Sequence, residues 1–382
     1  MVPPETFVPF LDLRQQHKEL KPLLLNAFEE ALDGAAFVGG EKLESFEAAF
    51  AAYCGVGDCA GVSNGTDALR LAQQPLGLRP GYLPLTVPHT FIATTEAISL
   101  AGGRFAFVDV APDTSLMDMG ALEEELKRRS AGPAKERPDV VIPVHLYGQC
   151  ADMATLMRLA EEYGFLVLED AAQAHGATQD SQCAGAMGHV AGFSFYAGKN
   201  LGGLGEAGAV TSNDASIVAK VRMLREHGQR EKYIHLLEGS NARLDAIQAA
   251  FLQIKLAHLD RWNASRRSLA AFYDASFAGC DWLRPVRILP ENQPSRHLYV
   301  LHTARRDALA DHLKARNIQT GLHYPLPLHL QECYAHLQLH RGSFPVAERL
   351  AQELISLPLY PEMTQNQIRQ VVEGVLSFQE LL

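Results

Sequence analysis

Of the 382 residues, 47% are hydrophobic, and 34 Lys and Arg stand against 44 Asp and Glu, for a formal net charge of −10. That apolar content is enough to bury a sizeable core and excludes a disordered chain, while the length predicts two domains or one domain with an appendage. The acidic balance repels polyanions at long range, so nucleic acid and anionic membrane surfaces are excluded as general partners, and any phosphate must be held by local geometry.

After a short N-terminal arm, the stretch from Leu20 to Leu32 places Leu23, Leu24, Ala27, Phe28 and Ala31 at helical spacing and stops at Asp33-Gly34, a C-cap signal. A second helix is predicted over Glu41 to Tyr53. Aliphatic runs (Phe105 to Val110, Val140 to Leu146, Phe165 to Glu169) then alternate with helical stretches (Ala121 to Arg129, Met153 to Tyr163). Such alternation predicts a mostly parallel sheet covered by helices on both faces. One helical tract is read from Leu244 to about Phe277, followed by an irregular segment from Leu283 to Pro294. A strand at His297 to Thr303, a helix at Arg306 to Arg316, a Pro-rich loop at His323 to Pro327 and a final helix near Gln365 to Leu381 complete the chain. The expected division is a large domain with the N-terminal arm over residues 1–250 and a smaller α+β domain over 251–382. Cys54, Cys59, Cys150, Cys183, Cys280 and Cys333 form no CxxC pair and no zinc-spaced cluster with histidine, which predicts buried reduced thiols and no metal. The first residues lack a basic segment leading into a long apolar one, and no run of about 18 apolar residues occurs, so a soluble cytoplasmic protein is expected.

Three segments carry chemistry. In Phe193 to Gly208, a lone lysine, Lys199, sits in a glycine-rich loop after a short aromatic strand. Glycine at that density serves unusual dihedrals or close approach, and a lysine desolvated there has a lowered pKa that frees its amine to attack an aldehyde. The plainer alternative is a solvated lysine on a flexible loop. In Phe165 to Ala177, an apolar run ends in Glu169-Asp170, where the C-terminal edge of a parallel strand belongs. A carboxylate at that edge can pair with a protonated pyridine nitrogen; a helix cap before Ala171 explains the same residues. In Gly61 to Ala72, an apolar strand passes through Asn64-Gly65-Thr66 into a helix whose first N–H groups suit a phosphate, as they would also suit an ordinary N-cap. Ser194 offers a further hydroxyl, and Phe91 is a candidate to stack on a ring unless it is plain core. Phosphate cradle, pyridinium partner and aldehyde-capturing amine together describe pyridoxal 5'-phosphate (PLP).

The chain resembles the DegT/DnrJ/EryC1/StrS sugar aminotransferases, within the aspartate-aminotransferase-like, fold-type I PLP enzymes. The likeness runs in order through PFLDLRQQ, SNGTDAL, VPHTFIATTEAI, FVDVAPDT, IPVHLYGQCADM, LEDAAQAHGA, FSFYAGKNLG, GSNARLDAIQAA, TGLHYPLPLHLQ and ISLPLYP. The resemblance implies a Schiff base on Lys199, Asp170 at the pyridinium nitrogen, Gln173 beside the ring's O3′, and Gly65, Thr66 and Ser194 at the phosphate. It further implies a homodimer with shared sites. Asn241 would reach the phosphate of the neighbouring subunit's cofactor, Arg243, His323 and Tyr324 would approach that subunit's sugar nucleotide, and Gly34 and Phe37 would touch the nucleotide. The implied reaction moves an amino group from L-glutamate to a nucleotide-linked keto-sugar, with Lys199 as leaving amine and general acid/base. PHTFIAT, FSFYAGKNLG and KYIH most resemble enzymes acting on C3 of dTDP-3-keto-6-deoxyhexoses, the alternative being a C4 enzyme on a dTDP- or UDP-4-keto-sugar. Ala197, Glu206 and Ala242 depart from the family's usual residues, as does Gly81-Tyr82-Leu83-Pro84. A related dehydratase carries histidine at the lysine position, so Lys199 argues against it; a non-enzymatic regulator of the same fold is the other rival.

Overall fold

The computed structural model describes residues 7–379. The first helix, α1 (Arg14–Asp33), begins before the apolar stripe because the polar residues from Arg14 to Glu19 are themselves good helix formers. It buries Leu20, Leu24, Ala27 and Ala31 but leaves Leu23 and Phe28 exposed, so the apolar stripe is wider than the face this chain covers. Helix α2 (Glu41–Cys54) follows and ends at Gly55 in the left-handed conformation.

Strands β1 (Asp58–Val62), β2 (Pro84–Thr86), β3 (Ala106–Phe107), β4 (Val140–Val141), β5 (Leu166–Asp170), β6 (Val190–Ser194) and β7 (Gly208–Ser212) form one seven-stranded sheet in the order β1-β7-β6-β5-β4-β2-β3. Only β7 runs against the others. Several strands are shorter than their aliphatic runs: from Val140 to Leu146 the regular strand is Val140–Val141, with one further bridge from Val144 to Asp170 before the 3-10 turn at Leu146–Gly148. Helices cover the sheet on both faces. α3 (Gly65–Gln73), α4 (Ala93–Leu100) and α7 (Ala215–Arg225) share a core with Val62, Val140, Leu168 and Val210. α5 (Met119–Ser130) and α6 (Met153–Tyr163) pack with Leu85, Val141 and Val167 in another.

The tract from Leu244 to Phe277 is two helices, α8 (Ala246–Leu256) and α9 (Leu259–Phe277), not one. α8 packs against α1 and α2 while α9 packs against α12 (Gln365–Gln379), and one straight axis cannot serve both sets of neighbours. Positions 250 and 251 both lie inside α8. The C-terminal part builds a second, antiparallel sheet, β8 (Arg284–Pro285), β9 (Tyr299–His302) and β10 (Leu354–Leu357), in that order, backed by α9, α10 (Arg306–Ala315) and α12, with α11 (Pro345–Glu353) also against β9. The N-terminal arm is pinned here: the Val8 N–H donates to Asn317 O at 2.8 Å and the Gln319 N–H to Val8 O at 3.0 Å. The architecture is the expected α/β fold, a mixed and mostly parallel large sheet beside a smaller α+β part. Residues 380–382, which the final helix was expected to include in part, lie outside the described residues.

The six cysteines are free, as their spacing predicts, but only Cys54, Cys59 and Cys150 are buried; Cys183 and Cys280 are half-buried and Cys333, on a surface 3-10 turn, is exposed. Among the described residues no helix is long and apolar enough to cross a membrane.

Candidate active site

The parallel strands deliver their C-terminal ends to one side of the large sheet, and a cavity of about 850 Å³ opens there. Its floor is the carboxyl edge of β1, β5 and β6. Asp170 closes β5 and is buried; its Oδ2 accepts the Thr94 hydroxyl at 2.7 Å and its Oδ1 the Ala172 N–H at 3.2 Å. Residues after it turn rather than start a helix, so the helix-cap alternative fails. No cation makes an ion pair with Asp170 among the described residues, and burial pushes its pKa up from the carboxylate range, partly offset by those two donors and by Lys199 nearby. Glu169, one residue earlier, points to the opposite face, as strand alternation requires. There it accepts the Gly185 and Met187 N–H groups at 2.7 and 2.9 Å and the His145 Nε2–H at 2.8 Å. His145 Nδ1 accepts the Ala151 N–H at 3.0 Å, which assigns the ring proton to Nε2.

Lys199 lies in the loop after β6, its amide donating to Tyr196 O at 2.8 Å. Its side chain is half-buried and opens on the cavity, and desolvation lowers its pKa to about 8 against the opposing pull of Asp170. The solvated-lysine alternative therefore fails. The loop is held by the next residue, buried Asn200, whose Nδ2 donates to Asn263 Oδ1 at 2.9 Å and Ser295 O at 3.0 Å and whose Oδ1 sits 3.0 Å from His297 Nδ1.

On the other side of the cavity, β1 passes through Asn64 into α3. Asn64 Oδ1 caps the helix by accepting the Asp67 N–H at 2.8 Å, and Asp67 is itself ion-paired with Arg70 at 2.6 Å. The Gly65 and Thr66 N–H groups, the first of the helix, have no acceptor among the described residues. A Cβ at Gly65 would lie 2.5 Å from Ser194 Cβ, so only glycine lets the helix start approach the Ser194 hydroxyl this closely.

Gln173 is fixed from two sides. Its Oε1 accepts the Tyr147 N–H at 2.7 Å and its Nε2 donates to Tyr324 Oη at 3.1 Å. Phe91 is more than half exposed at the cavity mouth, its ring 5.8 Å from that of Tyr324. His323 and Tyr324 thus line this chain's own cavity. The cause is local: residues 321–324 are held to β10 by Gly321–Ser356 pairing and by His323 Nδ1 at 2.9 Å from Ser356 Oγ.

Asn241, Arg243, Gly34 and Phe37 do not line the cavity. The segment around Asn241 runs beside the outer edge of β1, with Val62 bridged to Arg243 and the Ser63 N–H donating to Ala242 O at 3.0 Å. Asn241 is exposed, and Arg243 is paired with Glu226 at 2.7 Å. Phe37 O accepts the Ala246 N–H at 2.9 Å, which sets the loop from Gly34 to Phe37 against this same segment.

Other lining residues escaped sequence reading. Phe10 and Leu11 arrive from the N-terminal arm, Phe10 stacked on His323 at 5.6 Å, and Thr94, Arg266 and His297 arrive from helices or loops read as scaffold. A Thr at the start of a helix directly after PHTFIA is the only one of these that local sequence could have flagged, as a hydroxyl near the same sheet edge.

The sequence profile of the DegT/DnrJ/EryC1/StrS aminotransferase family matches residues 18–376. The chain is 42% identical over 373 residues to dTDP-3-amino-3,4,6-trideoxy-alpha-D-glucose transaminase of Streptomyces venezuelae, covering 98% of this chain and 96% of that one. It is 38% identical over 375 residues to the pleiotropic regulatory protein of Geobacillus stearothermophilus, covering 97% and 98% respectively. Among solved structures, S. venezuelae DesV in complex with a ketimine intermediate superposes with a TM-score of 0.93 at 42% identity, covering 98% of this chain and 99% of that one. The chain belongs to the DegT/DnrJ/EryC1/StrS aminotransferase family and is an enzyme of that class.

Proposed function

We propose that this aminotransferase uses PLP to transfer an amino group from L-glutamate to C3 of a dTDP-3-keto-6-deoxyhexose. The observation that carries the reading is the convergence of three unsatisfied groups on one cavity: the buried Asp170 carboxylate without an ion-paired cation, the desolvated Lys199 amine, and the free N–H groups of Gly65 and Thr66 beside the Ser194 hydroxyl. A phosphate fits the last, a pyridinium the first and an aldehyde the second. When bound, PLP supplies an electron sink that makes the donor's Cα proton removable.

The chain's own residues do the rest. Asp170, oriented by Thr94, holds positive charge at the ring nitrogen. Gln173, held between Tyr147 and Tyr324, orients the ring edge that carries the 3′ oxygen. Phe91 covers the ring face at the cavity mouth. Lys199 Nζ, with a pKa near 8, accepts and returns the transferred proton within the range where a general base works best. The exposed faces of α1 and of the loop around Phe37 support a homodimer, in which Asn241 and Arg243 of one subunit complete the other subunit's phosphate and nucleotide sites. Gly34 and Phe37 belong to the same nucleotide wall. The name of the Streptomyces relative, a transaminase of a dTDP-3-amino sugar, supports the regiochemistry and the base.

The test is to convert the enzyme to its pyridoxamine form and challenge it with 3-keto and 4-keto dTDP- and UDP-sugars. The dTDP-3-keto-sugar is expected to restore the visible absorbance of the lysine-bound cofactor fastest; preference for a 4-keto-sugar overturns the C3 assignment. Lys199→Ala is expected to abolish both that absorbance and turnover with glutamate. Absence of a glutamate half-reaction in the wild type would favour a regulatory role.

A further inference from the structure

One cationic group on the cavity wall has no counterpart in the roles above. Arg266, on α9, is 4% exposed and lines the cavity together with Lys199, His297 and Leu359. Its Nη1 donates to Leu359 O at 2.7 Å and to His297 O at 3.3 Å, but its Nε–H is buried with no acceptor. No carboxylate lies within ion-pairing distance of it among the described residues. Glu362 is the acidic group whose charge it feels, yet Glu362 Oε1 is itself buried and unpaired. A guanidinium cannot shed its charge to suit the site, so burying it without an anion is costly unless an anion arrives with the substrate.

We infer that Arg266 anchors the α-carboxylate of the amino-acid donor. The inference rests on the proposed aminotransfer and deepens it. His297 links the two cations: its carbonyl lies 3.3 Å from Arg266 Nη1 and its Nδ1 3.0 Å from Oδ1 of Asn200, the residue after Lys199. A donor whose amino group is delivered at Lys199 carries its α-carboxylate only two bonds away, so that carboxylate must lie in the same part of the cavity. The phosphate cradle at Gly65 is built from different elements, the β1–α3 junction and the end of β6. The diphosphate of a sugar nucleotide is bulky and suits the mouth near Phe91, whereas a single carboxylate is small enough to reach a nearly sealed side chain. Planar, two-point hydrogen bonding to a carboxylate is what a guanidinium does best, and the unpaired Nε–H supplies one of the two donors.

The experiment titrates holoenzyme with 2-methyl-L-glutamate and 2-aminoisobutyrate, which keep the amino and α-carboxylate groups but have no Cα proton to lose, reading cofactor absorbance. Arg266→Met is expected to raise Kd for both on the order of a hundredfold, and Arg266→Lys about tenfold, because lysine keeps the charge but not the paired geometry. Affinity for 4-aminobutyrate, which lacks an α-carboxylate, and for the keto-sugar nucleotide on the pyridoxamine form should change less than about twofold. Equal weakening of 4-aminobutyrate, a loss confined to the sugar nucleotide, or no loss at all would overturn the inference. If Arg266→Met does not fold, Arg266→Lys against wild type carries the same comparison. Wild-type enzyme that binds neither amino acids nor sugar nucleotides would instead overturn the proposed function, and this inference with it.

Discussion

The carboxyl edge of the large sheet and the segment from Gly239 to Asp245 belong to the same site on the reading above, yet they are built in opposite ways. At the sheet edge, Asp170 and Ser194 end strands paired in register and Gly65 and Lys199 follow directly on such strands, all four face one cavity, and each is oriented by a hydrogen bond or a close contact within this chain. Around Asn241 the segment is equally well held, through Ser63, Val62 and the Arg70–Ser240 hydrogen bond at 2.8 Å, but Asn241 is exposed and Arg243 turns to Glu226 and not to the cavity. The first region is complete within one chain. The second is a held platform on which Asn241 stands exposed and Arg243 is engaged with Glu226, both outside this chain's cavity. A sheet edge can preorganise chemistry because its neighbours are fixed by ladder hydrogen bonds; a surface segment can lend side chains to a second copy only if its backbone is fixed first.

The sharpest way to break this contrast is at Asp170. Asp170→Ala removes the one buried carboxylate that lines the cavity among the described residues and is expected to lower kcat for the glutamate half-reaction at least about a hundredfold, the order lost with a preorganised electrostatic partner. Stopped-flow absorbance measures it. The thermal stability of the cofactor-free protein should rise or stay level, since burial already raises the Asp170 pKa and an uncompensated buried carboxylate is removed. A loss of stability with unchanged half-reaction rate would mean that Asp170 serves the fold and not the reaction.

The platform is tested by mixing. Lys199→Ala and Asn241→Ala subunits, each inactive or nearly so alone, should recover about a quarter of wild-type activity when exchanged at equal amounts, because half the dimers are mixed and each mixed dimer holds one intact site. Arg243→Ala in place of Asn241→Ala should behave the same way when assayed at low sugar-nucleotide concentration. If both residues serve their own subunit's cavity, mixing restores nothing, and the division into a self-contained edge and a lent platform is wrong.

What the sequence made legible follows the same division. Asp170, Lys199 and the Asn64-Gly65-Thr66 turn could be read locally because each is a polar or glycine exception at the end of an apolar strand, and the parallel topology sends all such ends to one side. Phe10, Arg266 and His297 could not, since their place in the site depends on how the arm pairs with Ile318 and how α9 lies against the end of β10, both contacts between residues far apart in the chain. The break between α8 and α9 was hidden for the same reason: Ala257-His258 carries no proline or glycine, and only the two different packing partners bend the path there. His323 and Tyr324 were expected at a site by resemblance, but their place on this chain's own cavity wall is set by the Gly321–Ser356 pairing, which no local pattern announces.

The smallest expected effect on activity comes from the residue beside the most important one. Glu169 and Asp170 are adjacent acids at the end of β5, and nothing in their order says which is the reacting partner. The pleat separates them: Asp170 enters the cavity while Glu169 turns to the other face and gathers the N–H groups of Gly185, Met187 and Gly188 together with His145 Nε2–H. Each of its oxygens must therefore accept. Glu169→Gln turns one of them into a donor facing donors, which should cost about 3 kcal/mol of stability, read by denaturant unfolding of the cofactor-free protein. The rate of the glutamate half-reaction should change less than about threefold at a temperature where the variant is folded, because the loop from Gly185 to Gly188 contributes no side chain to the cavity. A variant that kept its stability but lost the half-reaction as Asp170→Ala does would show that the two acids act as a coupled pair, and the pleat would no longer separate structure from chemistry at this edge.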